Sequence, residues 1–283
     1  MRVNFSSGIL SVEADTLGAE LVSVRIDERE LLWQNENGQW AGHAPVLFPV
    51  CGNCRLIAEG IEYPVGRHGF ARTSEFTLKK QSRNGVTFEL KSSPETLKKF
   101  PYEFIFRVKY QLIGARLRIV YEIQNPAERT LYCSCGGHES FALTAPLGEY
   151  GLRFSRIEKF DALLHDDEGR LTGETKSLGE GTYFRFPEEF LQEGRTVIFG
   201  GLRSRRAHLC HQGSPVAEIA FTDFDNLLLW RAGEANMICV EPWHNLPDGK
   251  TVGEFSTREG IMAIPPRGRR RFVRDITYWA IGG

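Results

Sequence analysis

Apolar and polar residues alternate with a period of two along most of this chain. The clearest stretch is 103–124, where Phe104, Phe106, Val108, Tyr110 and Leu112 alternate with polar neighbours and, after Gly114-Ala115, Leu117, Ile119, Tyr121 and Ile123 resume the pattern. Successive side chains of a strand point to opposite faces, so this stretch predicts a long antiparallel hairpin with one buried face. A second hairpin is predicted from 75–80 to 85–91, joined at Arg83-Asn84-Gly85, because an Asn-Gly pair accepts the positive φ of a tight hairpin turn. The opening Met-Arg-Val-Asn-Phe reads as a first strand, and 9–13, 20–25, 130–135, 196–202, 216–221, 226–231, 237–241, 260–264 and 270–280 as further ones. Helical periodicity is scarce, with single turns suggested at 94–100 and 188–192. The stretch 156–190, rich in Gly, Asp and Glu, reads as an irregular surface excursion.

Strands that follow strands with few crossover helices exclude a parallel α/β architecture. The expected fold class is all-β, two large antiparallel sheets packed face to face with little helix. No internal repeat, low-complexity segment or Pro/Ser-rich linker divides the chain. Large all-β folds often reach this length as one unit, so residues 1–283 are expected to form a single domain.

Charge removes several function classes. With 35 basic and 36 acidic residues the formal net charge is −1, which leaves no electrostatic footprint for nucleic acid or an anionic membrane. Arginine clusters at Arg203, Arg205, Arg206 and at Arg267, Arg269, Arg270, Arg271 read as solvated loops or strand ends. No apolar run approaches the ~18–20 residues that span a bilayer, and the N-terminus lacks a signal-peptide core, so a cytoplasmic protein is expected. Of six cysteines, Cys51 and Cys54 form C-x-x-C, Cys133 and Cys135 form C-x-C, and Cys210 and Cys239 stand alone. Cys133 and Cys135 fall on one strand face like small apolar residues, and the first pair lacks the strand-then-helix setting of a redox motif. Reduced, mostly buried thiols are expected, with no metal and no cofactor.

Four segments carry candidate chemistry. In 41–55, Pro45 and Pro49 bracket an apolar run that suits an irregular edge or bulged strand, and Arg55 follows as either a surface arginine or a hydrogen-bonding fork for vicinal hydroxyls. His68 is followed by Gly69, which allows a sharp turn that would expose the ring. Gly136-Gly137 precedes His138, which suits either a close backbone approach to a ligand or a bulge with an incidental histidine. The apolar run Met237-Ile238-Cys239-Val240 leads into Glu241-Pro242-Trp243. A carboxylate ending such a strand sits at the lip of a core, where partial desolvation raises its pKa toward general-base range. Trp243 offers a flat apolar face for the C–H side of a sugar ring, or it simply packs. Two imidazoles and one carboxylate around one pocket would be equipment for moving protons on a neutral polar substrate.

Pro45–Pro49 as P-V-L-F-P, His68–Arg72 as H-G-F-A-R, Gly136–His138 as G-G-H and Glu241–Trp243 as E-P-W, followed by Leu246-Pro247-Asp248, occur in this order across nearly the whole chain. In these motifs the chain resembles the aldose 1-epimerase (galactose mutarotase) family, in its mutarotase-like subgroup. The resemblance implies a β-supersandwich with a sugar-binding cleft. It implies that His68 binds near the sugar ring oxygen, that His138 is the general acid and Glu241 the general base, and that Arg55 contacts substrate. Arg72 and Trp243 are further substrate-binding candidates. One departure is that Gly194-Arg195-Thr196 stands where the family commonly has a hydroxyl-binding aspartate.

The implied reaction interconverts α and β anomers of a hexose. Glu241 takes the C1 hydroxyl proton while His138 protonates the ring oxygen, and the open aldehyde rotates and recloses. No cofactor is required, and the expected partner is a small sugar, with the chain a monomer or homodimer. A hexose-6-phosphate 1-epimerase using Arg55 and Arg72 as anchors is one alternative. A non-catalytic carbohydrate-binding or regulatory protein on the same fold is the other.

Overall fold

The computed structural model describes residues 1–36, 38–187, 191 and 195–279. Its spine is the hairpin expected from the clearest alternation, in which Ile105–Ile113 pairs with Arg116–Gln124 from Ile105 opposite Gln124 to Ile113 opposite Arg116. The turn is Gly114-Ala115, with Gly114 at a φ of 60°. From Phe104 to Ile123 the inward-facing positions named above are at most 1% exposed. Each such phenylalanine contributes about 1.5–3 kcal/mol on burial, which is why the alternation fixes the register.

Among the described residues, fifteen strands share one sheet. Gly85–Lys91 and Thr77–Ser82 extend the spine on one side, and Arg269–Tyr278 and Ser214–Ala220 on the other. The path continues through Arg206–His211, Tyr150–His165, Val197–Gly200, Asn226–Trp230, Met237–Trp243 and Gly136–Gly137 to the edge strand Val46–Leu47. A four-stranded sheet is built from Arg2–Ser6, Leu10–Asp15, Leu21–Ile26 and Arg29–Glu30. Strands distant along the path meet through the core: the Phe141 and Tyr278 ring centroids are 6.2 Å apart, and Arg274 pairs with Glu139. The large sheet therefore doubles back over its own apolar face, an all-β sandwich as expected. Among the described residues, helix is confined to short pieces such as Pro94–Leu97, where Ser93 and Thr96 form a reciprocal capping box.

One element differs from expectation. The supposed excursion at 156–190 is mostly a long hairpin, Tyr150–His165 paired with Leu171–Arg185 through three register shifts. Its outer strand buries only Phe184. A strand with solvent on nearly every side has no apolar alternation to display, so its sequence looks like loop. The turn expected at 188–192 lies outside the described residues, Leu191 apart.

Candidate active site

The site starts from a strand register. Glu139–Ala142 pairs with Met237–Trp243 from Glu139 opposite Val240 to Ala142 opposite Met237, and Gly136 lies opposite Trp243. Both segments share one register, and it sets His138 directly across from Glu241. Between them Pro242 has no N–H to donate, so the ladder is interrupted there, the one setting in which proline suits an inner strand. Residues directly opposite in an antiparallel pair point to the same face with Cβ atoms about 4.5–5.5 Å apart. His138 Nε2 accordingly lies 3.3 Å from Glu241 Oε2.

Strand alternation then sorts the neighbours. Gly137, Glu139, Val240 and Pro242 face the core, while His138, Cys239, Glu241 and Trp243 share the other face. Gly137 must lack a side chain, because a Cβ there would fall 2.3 Å from the Arg274 guanidinium. Glu241 does not close its strand at the lip of the core. The strand continues to Trp243, and Glu241 is 1% exposed.

His68 arrives on a turn in which it and Gly69 both take positive φ, 63° and 72°. A Cβ on residue 69 would meet the Phe48 carbonyl oxygen at 2.2 Å, so glycine is obligatory there. The sharp turn is as expected, but it buries the ring, leaving His68 3% exposed. The His68 N–H donates to Gly52 O at 2.8 Å, and the Gly52 N–H donates to His68 Nδ1 at 3.1 Å. Arg67 Nε–H donates to His68 Nε2 at 3.2 Å, so both ring nitrogens of His68 face N–H donors.

Aromatic rings enclose the pair. His68 meets His138 and Trp243 edge to face, at centroid distances of 5.6 and 5.3 Å. Trp40 stacks on His138 at 5.2 Å, and Trp230 meets it edge to face at 5.8 Å. Trp243 also lines a cleft of about 390 Å³ together with Arg67, His165, Arg195, Ile198 and Leu228. Trp40, Trp230 and Arg67 were not singled out from the sequence. A lone tryptophan within the polar stretch 34–43 is the one signal that marks Trp40.

Burial sets the electrostatics. It pushes the Glu241 carboxyl well above the usual carboxylate range, with Glu139 adding to the effect and the Arg67 charge opposing it. It lowers His138 to about 3 and His68 well below the ordinary imidazole value. His138 Nδ1, Glu241 Oε2 and Trp243 Nε1 are buried without a hydrogen-bond partner. Unpaired buried polar atoms cost about 1–3 kcal/mol each, and with opposed pKa shifts they are typical of functional sites.

The remaining candidates separate. Arg72 donates to the Arg67 carbonyl at 3.2 Å, and its charge is among those that lower both histidines. Arg55 is exposed, paired with Glu62 at 2.7 Å, and lines a different cavity of about 730 Å³ with Asp248 and Arg258. All six cysteines are free, five buried and Cys54 intermediate. Among the described residues, one group of metal-ligating side chains converges: His138, Cys239 and Glu241, with ligand atoms within 4.8 Å of one another.

This constellation can be set against known proteins. Residues 1–255 match the sequence profile of the family described as aldose 1-epimerase. The chain belongs to that family. It is 33% identical over 300 residues to plasmid protein LacX of Lactococcus lactis subsp. lactis, covering 98% of this chain and 99% of LacX. A galactose mutarotase-like protein from Lactobacillus casei superposes with a TM-score of 0.92 at 24% identity, over 99% of this chain and 100% of that one. A galactose mutarotase related enzyme from Lactobacillus acidophilus gives 0.88 at 23% identity, over 99% and 98%. The fold is thus that of the galactose mutarotase-like proteins, and membership supports sugar epimerisation as the activity class. No helix among the described residues is long and apolar enough to cross a membrane.

Proposed function

We propose that this epimerase-family protein interconverts the α and β anomers of a hexose, with Glu241 and His138 exchanging protons with the sugar. The observation that carries the reading is the cross-strand pair itself, a buried carboxyl and a buried imidazole 3.3 Å apart. Opening the hemiacetal requires one proton to leave the C1 hydroxyl and one to reach the ring oxygen. Ionised Glu241 takes the first and protonated His138 supplies the second, which leaves a protonated carboxyl beside a neutral imidazole. Burial favours that distribution through both shifts. The same shifts favour the neutral pair before the sugar binds, so forming the ionised pair that starts the reaction carries a cost that contacts with the bound sugar must offset. Rotation about C1–C2 and the reverse transfers complete the exchange.

The other residues fit around these steps. The Arg67 guanidinium, held against His68 through Nε, has further N–H groups to donate to a sugar oxygen, and the Trp243 and Trp40 rings offer flat apolar walls. Each proton transfer is assigned to a side chain of the chain itself, so the reaction as written requires no cofactor. Anomer exchange followed by NMR or polarimetry over free and 6-phosphorylated hexoses tests the reading. Exchange above the solvent rate that is abolished in Glu241→Gln supports it, and exchange unchanged in that variant would sink it.

A further inference from the structure

We propose that His138, Cys239 and Glu241 form a site for a borderline divalent cation of the zinc type, and that its occupation shuts down proton transfer. Cys239 and Glu241 are two apart on one strand and so share a face, and the register sets His138 across from Glu241. All three are buried, Cys239 at 0%, Glu241 at 1% and His138 at 8% exposure. Their ligand atoms already lie within 4.8 Å of one another, and the His138–Glu241 distance is 3.3 Å. Zinc binds sulfur at about 2.3 Å and nitrogen or oxygen at about 2.0–2.2 Å, which puts tetrahedral ligands roughly 3.3–3.7 Å apart. A side-chain adjustment on the order of 1 Å by Cys239 closes the set.

A second observation points to a ligand independently. Glu241 Oε2, the oxygen 3.3 Å from His138 Nε2, is buried and makes no hydrogen bond, although buried polar atoms are nearly always paired. The donor set of sulfur, imidazole and carboxylate favours zinc over magnesium or calcium, which prefer oxygen alone. Three protein ligands leave a fourth position for a water or a sugar oxygen. The cation would occupy the lone pairs of Glu241 and His138 that accept and deliver protons. It therefore acts as an inhibitor, and removing it leaves the catalytic pair intact. The inhibitory part rests on the proposed anomer exchange, whereas the binding part does not.

The test uses the full chain. Isothermal calorimetry with zinc should show one site per chain, and cobalt(II) should show a thiolate charge-transfer band that zinc displaces. Zinc at about ten times its Kd should slow anomer exchange roughly tenfold by occupancy, and a chelator should restore it. Cys239→Ala and Cys239→Ser should keep their exchange rate, lose the cobalt band and bind zinc at least about tenfold more weakly, whereas Cys54→Ala should behave like the parent. Equal zinc sensitivity in the parent and both Cys239 variants would overturn the site, as would a cobalt spectrum without thiolate character in the parent. Should the parent catalyse no exchange on any sugar, calorimetry and the cobalt band still decide the binding proposal separately.

Discussion

His138 and Glu139 are adjacent in sequence, face opposite sides of one sheet, and each meets a partner from far along the chain. Glu139 points into the core against Arg274, which also donates to Tyr121 OH at 2.7 Å and lies over that ring at 5.4 Å. Burial works against the Arg274 charge, but Glu139 and Tyr121 more than offset it. His138 points the other way to Glu241, and atoms of both remain unpaired. The same low-dielectric surroundings therefore produce opposite results one residue apart. A permanent guanidinium compensates one carboxylate and makes it a structural strut. The other faces an imidazole that burial keeps neutral, and it is left able to gain or lose a proton. Burial with a fixed counter-charge gives a strut, whereas burial without one leaves a carboxyl that can exchange protons.

The largest expected effect separates the two pairs by activity. Glu241→Gln and His138→Asn should each lower kcat by roughly 10²–10⁴-fold with a smaller change in KM, and the double variant should lose less than the product. Steady-state anomer exchange reads this directly, and multiplicative losses would show that the two do not act in one step. Arg274→Met should instead act on stability, by about 3–5 kcal/mol, because it leaves the Glu139 carboxylate buried without its cation. Denaturant unfolding measures that loss, and a variant as stable as the parent would contradict the strut assignment.

A pH series sharpens the contrast. The folded-state pKa of Glu241 is raised, so its favourable contribution is complete below the unfolded carboxyl value and is lost as pH rises toward the folded value. For His138, lowered to about 3, stability is complete above the unfolded imidazole value and lost as pH falls. Glu241→Gln should therefore gain stability relative to the parent on going from pH 5 to pH 8, by up to about 1.4 kcal/mol per pH unit while the two states differ by one proton. Thermal unfolding at both pH values checks the sign, and a gain that shrinks with pH would refute it. The smallest effect is expected at Arg55, whose exposed pairing with Glu62 sets it apart from the proposed catalytic pair. Arg55→Ala should leave kcat unchanged and raise KM by no more than about threefold, as for a uniform ground-state contact. A loss of kcat comparable with Glu241→Gln would bring Arg55 into the proton-transfer machinery.

Local patterning by itself determined the all-β class, the 105–124 hairpin and the place of the second hairpin, because a half-buried strand writes its two faces into alternate residues. That second turn is Arg83-Asn84, with Gly85 paired opposite Ser82 and no positive φ at Asn84 or Gly85. The four ordered motifs indicated the family. The Tyr150–Arg185 hairpin was not legible, since an edge strand burying one residue carries no alternation. The burial of His68 and Glu241 was not legible either. Each looked like a residue at an element's end, and only the covering Trp243, His138 and Leu228 surfaces decide how dry those positions are. The tertiary structure alone decided that residues 138 and 241 are cross-strand partners, that Cys239 joins them, and that Arg274 arrives under Gly137. Those contacts depend on which distant strands pair and in what register. That choice is made by the whole core, and no window of the sequence contains it.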